Sequence, residues 1–179
     1  MCDYGAGNVR SVIAAFGRLG AEVFATTEPD DVLEADLAVL PGVGSAASAM
    51  RGLRQSGLDT ALRARLNADR PTLGICLGLQ LALEESEEDG GVPGLALLPG
   101  RAVRLREGRV PRIGWAPVEP TGEAFYFAHS YAAETPAVTA RSEGIVATAE
   151  AGSFLGVQFH PEKSGAAGAR FLARCLSPA

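Results

Sequence analysis

The sequence predicts an α/β fold in which a parallel sheet covered by helices is followed by a part of the chain rich in antiparallel strands. In the first half, short apolar runs alternate with segments whose apolar residues recur at helical spacing, an alternation typical of parallel sheets. In the second half, short β-like runs are separated by turns rich in Gly, Pro and Glu. The length of 179 residues suits one domain, over 1–179, with a sizeable core.

The first half contains the elements expected of a βαβα arrangement. Apolar residues recur at helical spacing over 9–19, and Gly20 follows as a helix stop. The run 37–40 is continuously apolar and ends at Pro41, as expected of a buried parallel strand. The other predicted elements are a strand over 22–26, a helix with Leu58, Leu62 and Leu66 on one face, a strand over 72–76 and a helix over 77–88.

The second half is predicted to be mostly β-structure that ends in a helix. The expected strands cover 102–105, 110–118, 125–129, 138–140, 145–149 and 154–159. The segment 166–176 places its apolar side chains on one helical face, with Phe171 and Leu172 among them.

The composition excludes several classes of protein. Lys and Arg total 16 against 21 Asp and Glu, and the resulting net charge of -5 argues against binding to nucleic acid or to an anionic membrane. A hydrophobic fraction of 47% is too high for a disordered chain. Three cysteines without a CxxC pair argue against a disulfide framework or a structural zinc site. With only two histidines, we expect neither a metal centre nor a cofactor.

The expected location is the cytoplasm. The N-terminal residues show no basic segment followed by an apolar stretch, so no signal peptide is predicted. The longest nearly apolar run, 73–83, contains Gln80 and is shorter than the about 18 residues that indicate a membrane span. Unpaired cysteines also fit a reducing compartment.

The segment around Cys76 predicts a nucleophile on a sharp turn. Cys76 lies between Gly74 and Gly78 at a junction from strand to helix, which is the nucleophile-elbow pattern with Cys in place of Ser. The positive end of the following helix would favour the thiolate, the form that attacks a carbonyl carbon. The alternative is that Cys76 is a small buried hydrophobe in a core strand. Cys2 and Cys175 are interpreted as packing residues.

The segment His160-Pro161-Glu162 predicts a general base and its orienting carboxylate. His160 follows a β-like run, and catalytic groups of open α/β sheets collect at strand ends. Glu162 could fix the tautomer of the ring, which completes the three roles of an acyl-transfer triad with Cys76. The alternative is a surface turn with solvated charges. His129 is the other possible base, interpreted as a neighbour of the substrate site or as a structural residue.

Backbone amides for an oxyanion are expected at two places. One is the N–H of Leu77, just after the nucleophile, and the other is the loop of Gly42, Val43 and Gly44 that follows the strand over 37–40. Residues 42–47 also match the dinucleotide pattern GxGxxG/A. We discount that match because it does not follow the first strand and no acidic residue ends a strand about 20 positions later.

Taken together, these segments resemble the class I (triad) glutamine amidotransferases, and within them the glutaminase subunits of imidazole glycerol phosphate synthase. The resemblance covers nearly the whole chain, and the general class motifs are GxCxG and HPE. The matching segments are DYGAGNVRSV (3–12), LPGVGSAASAM (40–50), GICLGLQLALEESEE (74–88), PRIGW (111–115), YFAHSY (126–131) and GVQFHPEKSG (156–165).

The resemblance implies a fold, a reaction and a set of substrate contacts. The implied fold is a flavodoxin-like sandwich, with helices on both faces of a mixed, mostly parallel sheet. Cys76 would attack the side-chain amide of glutamine to give a glutamyl thioester and ammonia, with His160 moving the proton and Glu162 orienting it. Water would then release glutamate. The positions that match glutamine-binding residues of the family are Gln80, Glu88, Ser130 and Tyr131.

The resemblance also implies a partner. In this family a (β/α)₈ cyclase subunit forms a heterodimer with the glutaminase and receives ammonia through an internal channel. The cyclase uses it to convert PRFAR into imidazole glycerol phosphate and AICAR in histidine biosynthesis. The matching interface and signalling positions are Asn8, Trp115, Tyr126 and Lys163. For Trp115 the alternative is ordinary core packing.

The chain departs from the family pattern at several points. The first strand looks cut to a stub, and the stretches 118–125 and 131–154 look short. Ala116 stands where the family usually has Asn, which would weaken a polar contact at the interface. Three rival functions remain: the glutaminase of another synthase, such as the pyridoxal phosphate one, a non-catalytic binding module of the same fold, and a cysteine hydrolase acting on another amide.

Overall fold

The computed structural model describes residues 1–5 and 7–177. Ala6, inside the segment 3–12, and the last two residues of the predicted domain 1–179 lie outside the described residues. The helices are α1 (Val9–Gly17), α2 (Pro29–Glu34), α3 (Ala46–Ser56), α4 (Leu58–Asn67), α5 (Leu77–Ala82) and α6 (Gly165–Leu176). The strands are β1 (Ala38–Leu40), β2 (Thr72–Ile75), β3 (Glu85–Ser86), β4 (Val92–Pro93), β5 (Arg101–Arg104), β6 (Arg112–Val118), β7 (Glu123–His129), β8 (Tyr131–Glu134), β9 (Val138–Ser142), β10 (Ile145–Ala151) and β11 (Phe154–Val157).

The main sheet has five strands in the order β1-β2-β11-β10-β9. β1, β2 and β11 are parallel, whereas β10 pairs antiparallel with both β11 and β9. The N-terminal residues extend this sheet beyond β1, because Cys2 forms a parallel bridge with Thr26 and its N–H donates to Val39. The predicted α/β fold with an antiparallel-rich second half is confirmed.

Two apolar cores lie on opposite faces of the main sheet, and β1 shows how they are separated. Successive side chains of a strand point to opposite faces. Ala38 and Leu40 therefore join a core that includes residues of α3, α4 and α5, while Val39 joins a second core that includes residues of α1 and α6. Fully burying one large apolar side chain contributes about 1.5–3 kcal/mol. Helices thus cover both faces, as predicted.

A fully buried arginine, Arg65 of α4, ties this helix to the strands beside it. Guanidinium groups offer five N–H donors and keep their charge at ordinary pH, so burial requires a complete set of acceptors. The acceptors of Arg65 are the carbonyl oxygens of Val32, Leu33, Ala35, Asp36 and Pro71 and the hydroxyl of Thr72. One side chain therefore holds the connection from α2 to β1 against the start of β2.

Two smaller sheets lie beside the main one, and their strands include residues that line the cavity described below. β4-β3-β5-β8 form a four-stranded sheet, and β6 and β7 form an antiparallel pair. In that pair Arg112 lies opposite His129 and Trp115 lies opposite Tyr126. The pair therefore brings the segments PRIGW and YFAHSY together. No helix within the described residues has the length and apolar character needed to cross a membrane.

The helix predicted over 77–88 is half as long as expected. α5 ends at Ala82, and the chain continues into β3. The carbonyls of its last residues accept N–H groups from a loop, for instance Leu95 N to Leu81 O at 2.8 Å and Leu97 N to Ala82 O at 2.8 Å. Four glutamates in 84–88 would also face the negative end of a longer helix. Tertiary hydrogen bonds thus replace the last predicted turns.

The other differences concern exposed or weakly patterned segments. The strand predicted over 22–26 is wrong except for the single bridge at Thr26, and Phe24 in its middle is 55% exposed. The helices α2 and α3 and the strand β8 were not predicted. A strand such as β8, with sequence YAAE, has one aromatic residue and no β-branched residue, too few of the residue types that mark a strand in isolation.

Candidate active site

Cys76 occupies the sharp turn between β2 and α5. Its backbone angles, φ 52 and ψ -105, are strained for a residue with a side chain. A Cβ on Gly78 would lie 2.0 Å from the carbonyl oxygen of Leu40, and one on Gly74 would lie 2.7 Å from the ring of Phe154. The two glycines are therefore required because the elbow packs closely against β1 and β11.

A cavity of about 330 Å³ opens over the Cys76 sulfur. It gathers side chains and backbone from both halves of the chain. The residues that line it are Val43, Gly44, Cys76, Leu77, Gln80, Glu88, Pro111, Ile113, Ala128, His129, Ser130 and Tyr131. The structure thus brings the predicted nucleophile together with the predicted glutamine-binding residues and with three of the four predicted oxyanion residues.

The fourth oxyanion residue, Gly42, lies behind the cavity wall. A Cβ on Gly42 would be 2.6 Å from Cβ of Leu77, so the loop packs directly against the elbow. Gly44 has φ +109, a conformation that favours glycine. The Tyr4 hydroxyl donates to the carbonyl of Pro41 and anchors the start of the loop. The loop therefore packs against Leu77, the residue that follows Cys76.

His160 and Glu162 form a buried pair next to the elbow. Nδ1 of His160 lies 2.8 Å from Oε1 of Glu162, and the two side chains are 2% and 0% exposed. Asn8 donates to the same carboxylate oxygen at 2.6 Å. The backbone N–H of His160 donates to Tyr126 in β7 at 2.8 Å. The surface turn considered for this segment is excluded by the burial of both side chains.

Opposing effects set the charges of this pair. Burial acts to lower the pKa of His160, but the neighbouring Cys76 and the Glu162 carboxylate outweigh it and raise that pKa to about 9. Burial acts to raise the pKa of Glu162, but the hydrogen bond and charge of His160 outweigh it and hold that pKa below its usual value. At neutral pH the pair is therefore an imidazolium and a carboxylate.

His129 lines the same cavity but is electrically different from His160. Its Nδ1 lies 2.8 Å from the carbonyl oxygen of Tyr131. Because a carbonyl only accepts, Nδ1 carries the proton. Burial lowers the pKa of His129 to about 4, so the ring is neutral at pH 7. Its buried Nε2 has no hydrogen-bond partner among the described residues. His129 therefore lies in the wall of the same cavity as Cys76.

Gln80 and Glu88 line the cavity, and hydrogen bonds hold both side chains. Gln80 donates from Nε2 to the carbonyl of Tyr131 at 2.7 Å and to Oε1 of Gln158 at 3.2 Å. One carboxylate oxygen of Glu88 accepts the N–H of Ala46, the first residue of α3, at 2.7 Å. Burial raises the pKa of Glu88. Among the residues that the structure describes, Oε1 of Gln80 and the second carboxylate oxygen of Glu88 accept no hydrogen bond.

Sequence reasoning missed two residues of this site. Gln158 is fully buried, and its Nε2 lies 3.7 Å from the Cys76 sulfur. Its position two residues before His160 was the signal that could have identified it, because alternate residues of an extended chain share a side. Ile113 is 61% exposed and also lines the cavity. No local pattern distinguishes it from an ordinary strand residue.

The residues predicted to meet a partner lie in two places. Trp115 is 58% exposed and packs edge-on against Tyr126, with ring centroids 6.1 Å apart. Nζ of Lys163 lies 6.0 Å from the Tyr126 ring, so these three residues form one cluster. Asn8 instead holds Glu162. Core packing of Trp115 is excluded, and Ala116 is buried rather than on the Trp115 face.

Comparisons with known proteins agree with this geometry. A family model for glutamine amidotransferase class-I matches residues 1–177. Over 187 residues the chain is 44% identical to imidazole glycerol phosphate synthase subunit HisH of Carboxydothermus hydrogenoformans, covering 95% of this chain and 94% of that protein. The subunit HisH of Methanothermobacter thermautotrophicus is 46% identical over 182 residues, with 93% and 91% covered. A crystal structure of a glutamine amidotransferase, 20% identical, superposes with a TM-score of 0.80 over 99% of this chain and 98% of that one, a likeness of fold.

Proposed function

Because the chain belongs to the class-I glutamine amidotransferases, and within them to the HisH subunits of imidazole glycerol phosphate synthase, we propose that it hydrolyses L-glutamine and delivers the ammonia to a cyclase subunit. The carrying observation is the strained Cys76 at the floor of a cavity, beside the buried pair of His160 and Glu162. The heterodimer with a (β/α)₈ cyclase and a cytoplasmic location belong to the same proposal.

Cys76, His160 and Glu162 carry out the acyl transfer in this proposal. The Cys76 thiolate attacks the side-chain amide carbon of glutamine, and the imidazolium of His160 gives its proton to the leaving ammonia. A glutamyl thioester remains on Cys76. Neutral His160 then takes a proton from water, which attacks the thioester and releases glutamate. The carboxylate of Glu162, held by Asn8, keeps the ring oriented through both steps.

The oxyanion that forms at each step is stabilised by backbone amides. Leu77 N–H lies at the start of α5, next to the nucleophile, and the loop of Gly42, Val43 and Gly44 packs on the same elbow. Amides fixed before the reaction need no reorganisation when the charge develops. Glu88 additionally joins this loop to the substrate end, because it accepts the N–H that begins α3 directly after the loop.

The α-amino and α-carboxyl groups of glutamine are held at the other end of the cavity. The free carboxylate oxygen of Glu88 is suited to the ammonium group, since an opposite charge in a partly buried site gives a strong hydrogen bond. Gln80, Ser130 and Tyr131 line the same end and supply the polar contacts to the rest of the molecule. This arrangement places the amide end of glutamine toward Cys76.

The cyclase docks on the exposed cluster of Trp115, Tyr126 and Lys163. Aromatic residues are enriched at protein interfaces, and the related proteins are described as subunits of a synthase. Ile113 belongs to both the exposed face and the cavity lining. A partner seated over Trp115 would therefore also cover the mouth of the cavity, where ammonia leaves.

The test is glutamate release by the purified protein, alone and with the cyclase and PRFAR. We expect slow hydrolysis alone and a strong increase in the complex, with ammonia appearing in imidazole glycerol phosphate. Cys76→Ala should abolish glutamate release while leaving the complex intact. Residual hydrolysis in Cys76→Ala would contradict the mechanism. Stimulation by a pyridoxal phosphate synthase instead would contradict the pathway, and glutamine binding without turnover would indicate a non-catalytic module.

A further inference from the structure

Gln158 is a buried polar residue to which the mechanism above gives no role. It follows β11 directly, is 0% exposed, and is anchored through its backbone N–H to Ala147 at 2.9 Å. Its side chain lies between two residues of the elbow helix: Oε1 accepts from Gln80 at 3.2 Å, and Nε2 lies 3.7 Å from the Cys76 sulfur. An amide placed in this way connects the substrate end of the cavity with the nucleophile.

The Tyr131 carbonyl fixes the donor and the acceptor in each hydrogen bond of the series that runs through Gln80 and Gln158 to Cys76. The carbonyl of Tyr131 can only accept, so the group of Gln80 that faces it at 2.7 Å is the NH₂. The same NH₂ has a second hydrogen, which requires the carbonyl oxygen of Gln158 to face Gln80. The NH₂ of Gln158 must then face the sulfur. Gln158 therefore faces the Cys76 sulfur with a hydrogen-bond donor and not with an acceptor.

We propose that Gln158 is a positioning residue of the glutaminase site, whose N–H holds the Cys76 sulfur in place and stabilises its thiolate. This inference rests on the proposed function, in which the thiolate is the nucleophile. A hydrogen bond is stronger when its acceptor is charged, so the donor favours the thiolate over the thiol. Because Gln158 is neutral, it stabilises the thiolate without disturbing the ion pair between His160 and Glu162.

The titratable and charged groups around Cys76 stay the same when Gln158 is changed. They come from the N-terminal segment, the 3₁₀ turn between β3 and β4, the strands β6 and β7, and the turn after β11: Tyr4, Glu88, Arg112, His129, His160 and Glu162. Gln158 carries no charge in this set. A difference between the Cys76 titration curves of wild type and a Gln158 variant therefore measures the contribution of Gln158, because the other groups are present in both proteins.

The experiment measures the rate at which iodoacetamide alkylates Cys76 as a function of pH. Only the thiolate reacts. Cys2 and Cys175 interfere little, because burial raises the pKa of each to about 11. In Gln158→Met, which keeps the length and removes the donor, we expect the alkylation midpoint to rise by about one pH unit, with the rate at pH values well below the wild-type midpoint falling about tenfold. Peptide mass spectrometry assigns the label to Cys76.

Two further variants separate the hydrogen bond from general damage. Gln158→Glu keeps the shape but places an acidic group against the sulfur, and we expect its midpoint to rise at least as far. Ser153→Ala changes a buried hydroxyl at the opposite end of β11, outside the cavity, and should leave the midpoint unchanged. An unchanged midpoint in a folded Gln158→Met protein, or an equal shift in Ser153→Ala, would overturn the proposal.

Wild-type protein provides a measurement that does not depend on the folding of a variant. The side-chain NH₂ signal of Gln158 in a ¹H–¹⁵N spectrum should shift downfield as Cys76 ionises and should lose that shift after alkylation. A Gln158 signal insensitive to both changes would overturn the proposal. None of these readouts requires glutamine. A shifted midpoint in a protein that does not hydrolyse glutamine would sink the proposed function and leave the role of Gln158 standing.

Discussion

His160 and His129 show how surroundings give the same side chain two different protonation states at neutral pH. Both rings are buried, and burial acts to lower the pKa of each. His160 has a carboxylate and the Cys76 sulfur beside it, so its pKa rises to about 9. For His129, burial outweighs the hydrogen bond to the carbonyl of Tyr131, and the positive charge of Arg112 acts in the same direction as burial, so the pKa falls to about 4. The protonation states of the two rings are thus set by their neighbours.

This difference predicts the titration of the two histidine rings, which an NMR experiment can follow separately. Between pH 5 and 8 we expect the His160 ring to stay protonated and the His129 ring to stay neutral. His160 should lose its proton near pH 9. Glu162→Gln should lower the pKa of His160 by about one unit or more, since it removes the neighbouring charge. Glu134→Gln, which changes an exposed carboxylate paired with Arg101, should leave both rings unchanged.

The same pair gives stability a definite dependence on pH. The pKa of His160 is raised in the folded protein above its ordinary value of 6.5. Its contribution is therefore fully present below pH 6.5 and is lost as the pH rises through about 9. Denaturant unfolding of wild type should show this fall in the free energy of unfolding, and Glu162→Gln should show less of it. If the free energy of unfolding fell equally with pH in wild type and in Glu162→Gln, the charges assigned to His160 and Glu162 would be contradicted.

How far the site could be predicted depends on the sequence distance between its parts. Cys76 between its glycines, and His160 two residues before Glu162, carry their chemistry in short segments that sequence alone reveals. Gln158 reaches Cys76 across 82 positions, and no spacing rule relates them. The structure is needed to show that a glutamine next to the catalytic segment points its amide at the sulfur.

At the scale of elements, the elbow depends on how closely α5 approaches β1. Gly78 is the second residue of α5, and its Cα faces the carbonyl oxygen of Leu40. That contact is between two backbones, so neither side can move away without disturbing the sheet. α5 can begin at Leu77 only because Gly78, its second residue, has no side chain. The oxyanion loop, which follows β1, depends on the same approach.

Gly78→Ala tests this dependence. The new Cβ would lie 2.0 Å from the Leu40 oxygen, and we expect a loss of about 3 kcal/mol in the free energy of unfolding, together with loss of glutaminase activity. The measurement is denaturant unfolding followed by circular dichroism. Gly17→Ala is the matched control, because Gly17 ends α1 and nothing lies within 4 Å of its Cβ position. A Gly78→Ala protein as stable as the control would contradict close approach as the reason for this glycine.

The elements that sequence predicted well are those whose stability is local. β1, β2 and α4 carry continuous apolar runs or a clear apolar face, and they appear close to their predicted bounds. α5 was predicted too long because the groups that end it come from a loop more than ten residues later, such as Leu95 and Leu97. Hydrogen bonds from a distant segment leave no trace in the local pattern.

At the scale of the molecule, the nucleophile and the exposed aromatic cluster share one wall. β6 and β7 carry Trp115 and Tyr126 on the outside, while the residues at the near end of the pair line the cavity. Ile113 lies at the boundary between the two. A backbone hydrogen bond also joins β7 to His160, since the carbonyl of Tyr126 accepts the N–H of His160. A partner on this face would therefore contact a strand that directly holds the catalytic histidine.

The last prediction concerns docking on this face. Trp115→Ala and Ile113→Asp should weaken association with the cyclase by about tenfold or more, because each removes or charges an exposed apolar side chain at the contact. Phe24→Ala is the matched control: Phe24 is 55% exposed, close to the 58% of Trp115, but lies away from the cavity. Titration calorimetry gives the affinities, and alkylation of Cys76 in the isolated variants reports whether the site is intact. Equal weakening by Phe24→Ala, or full affinity in Trp115→Ala and Ile113→Asp, would place the partner elsewhere on the molecule.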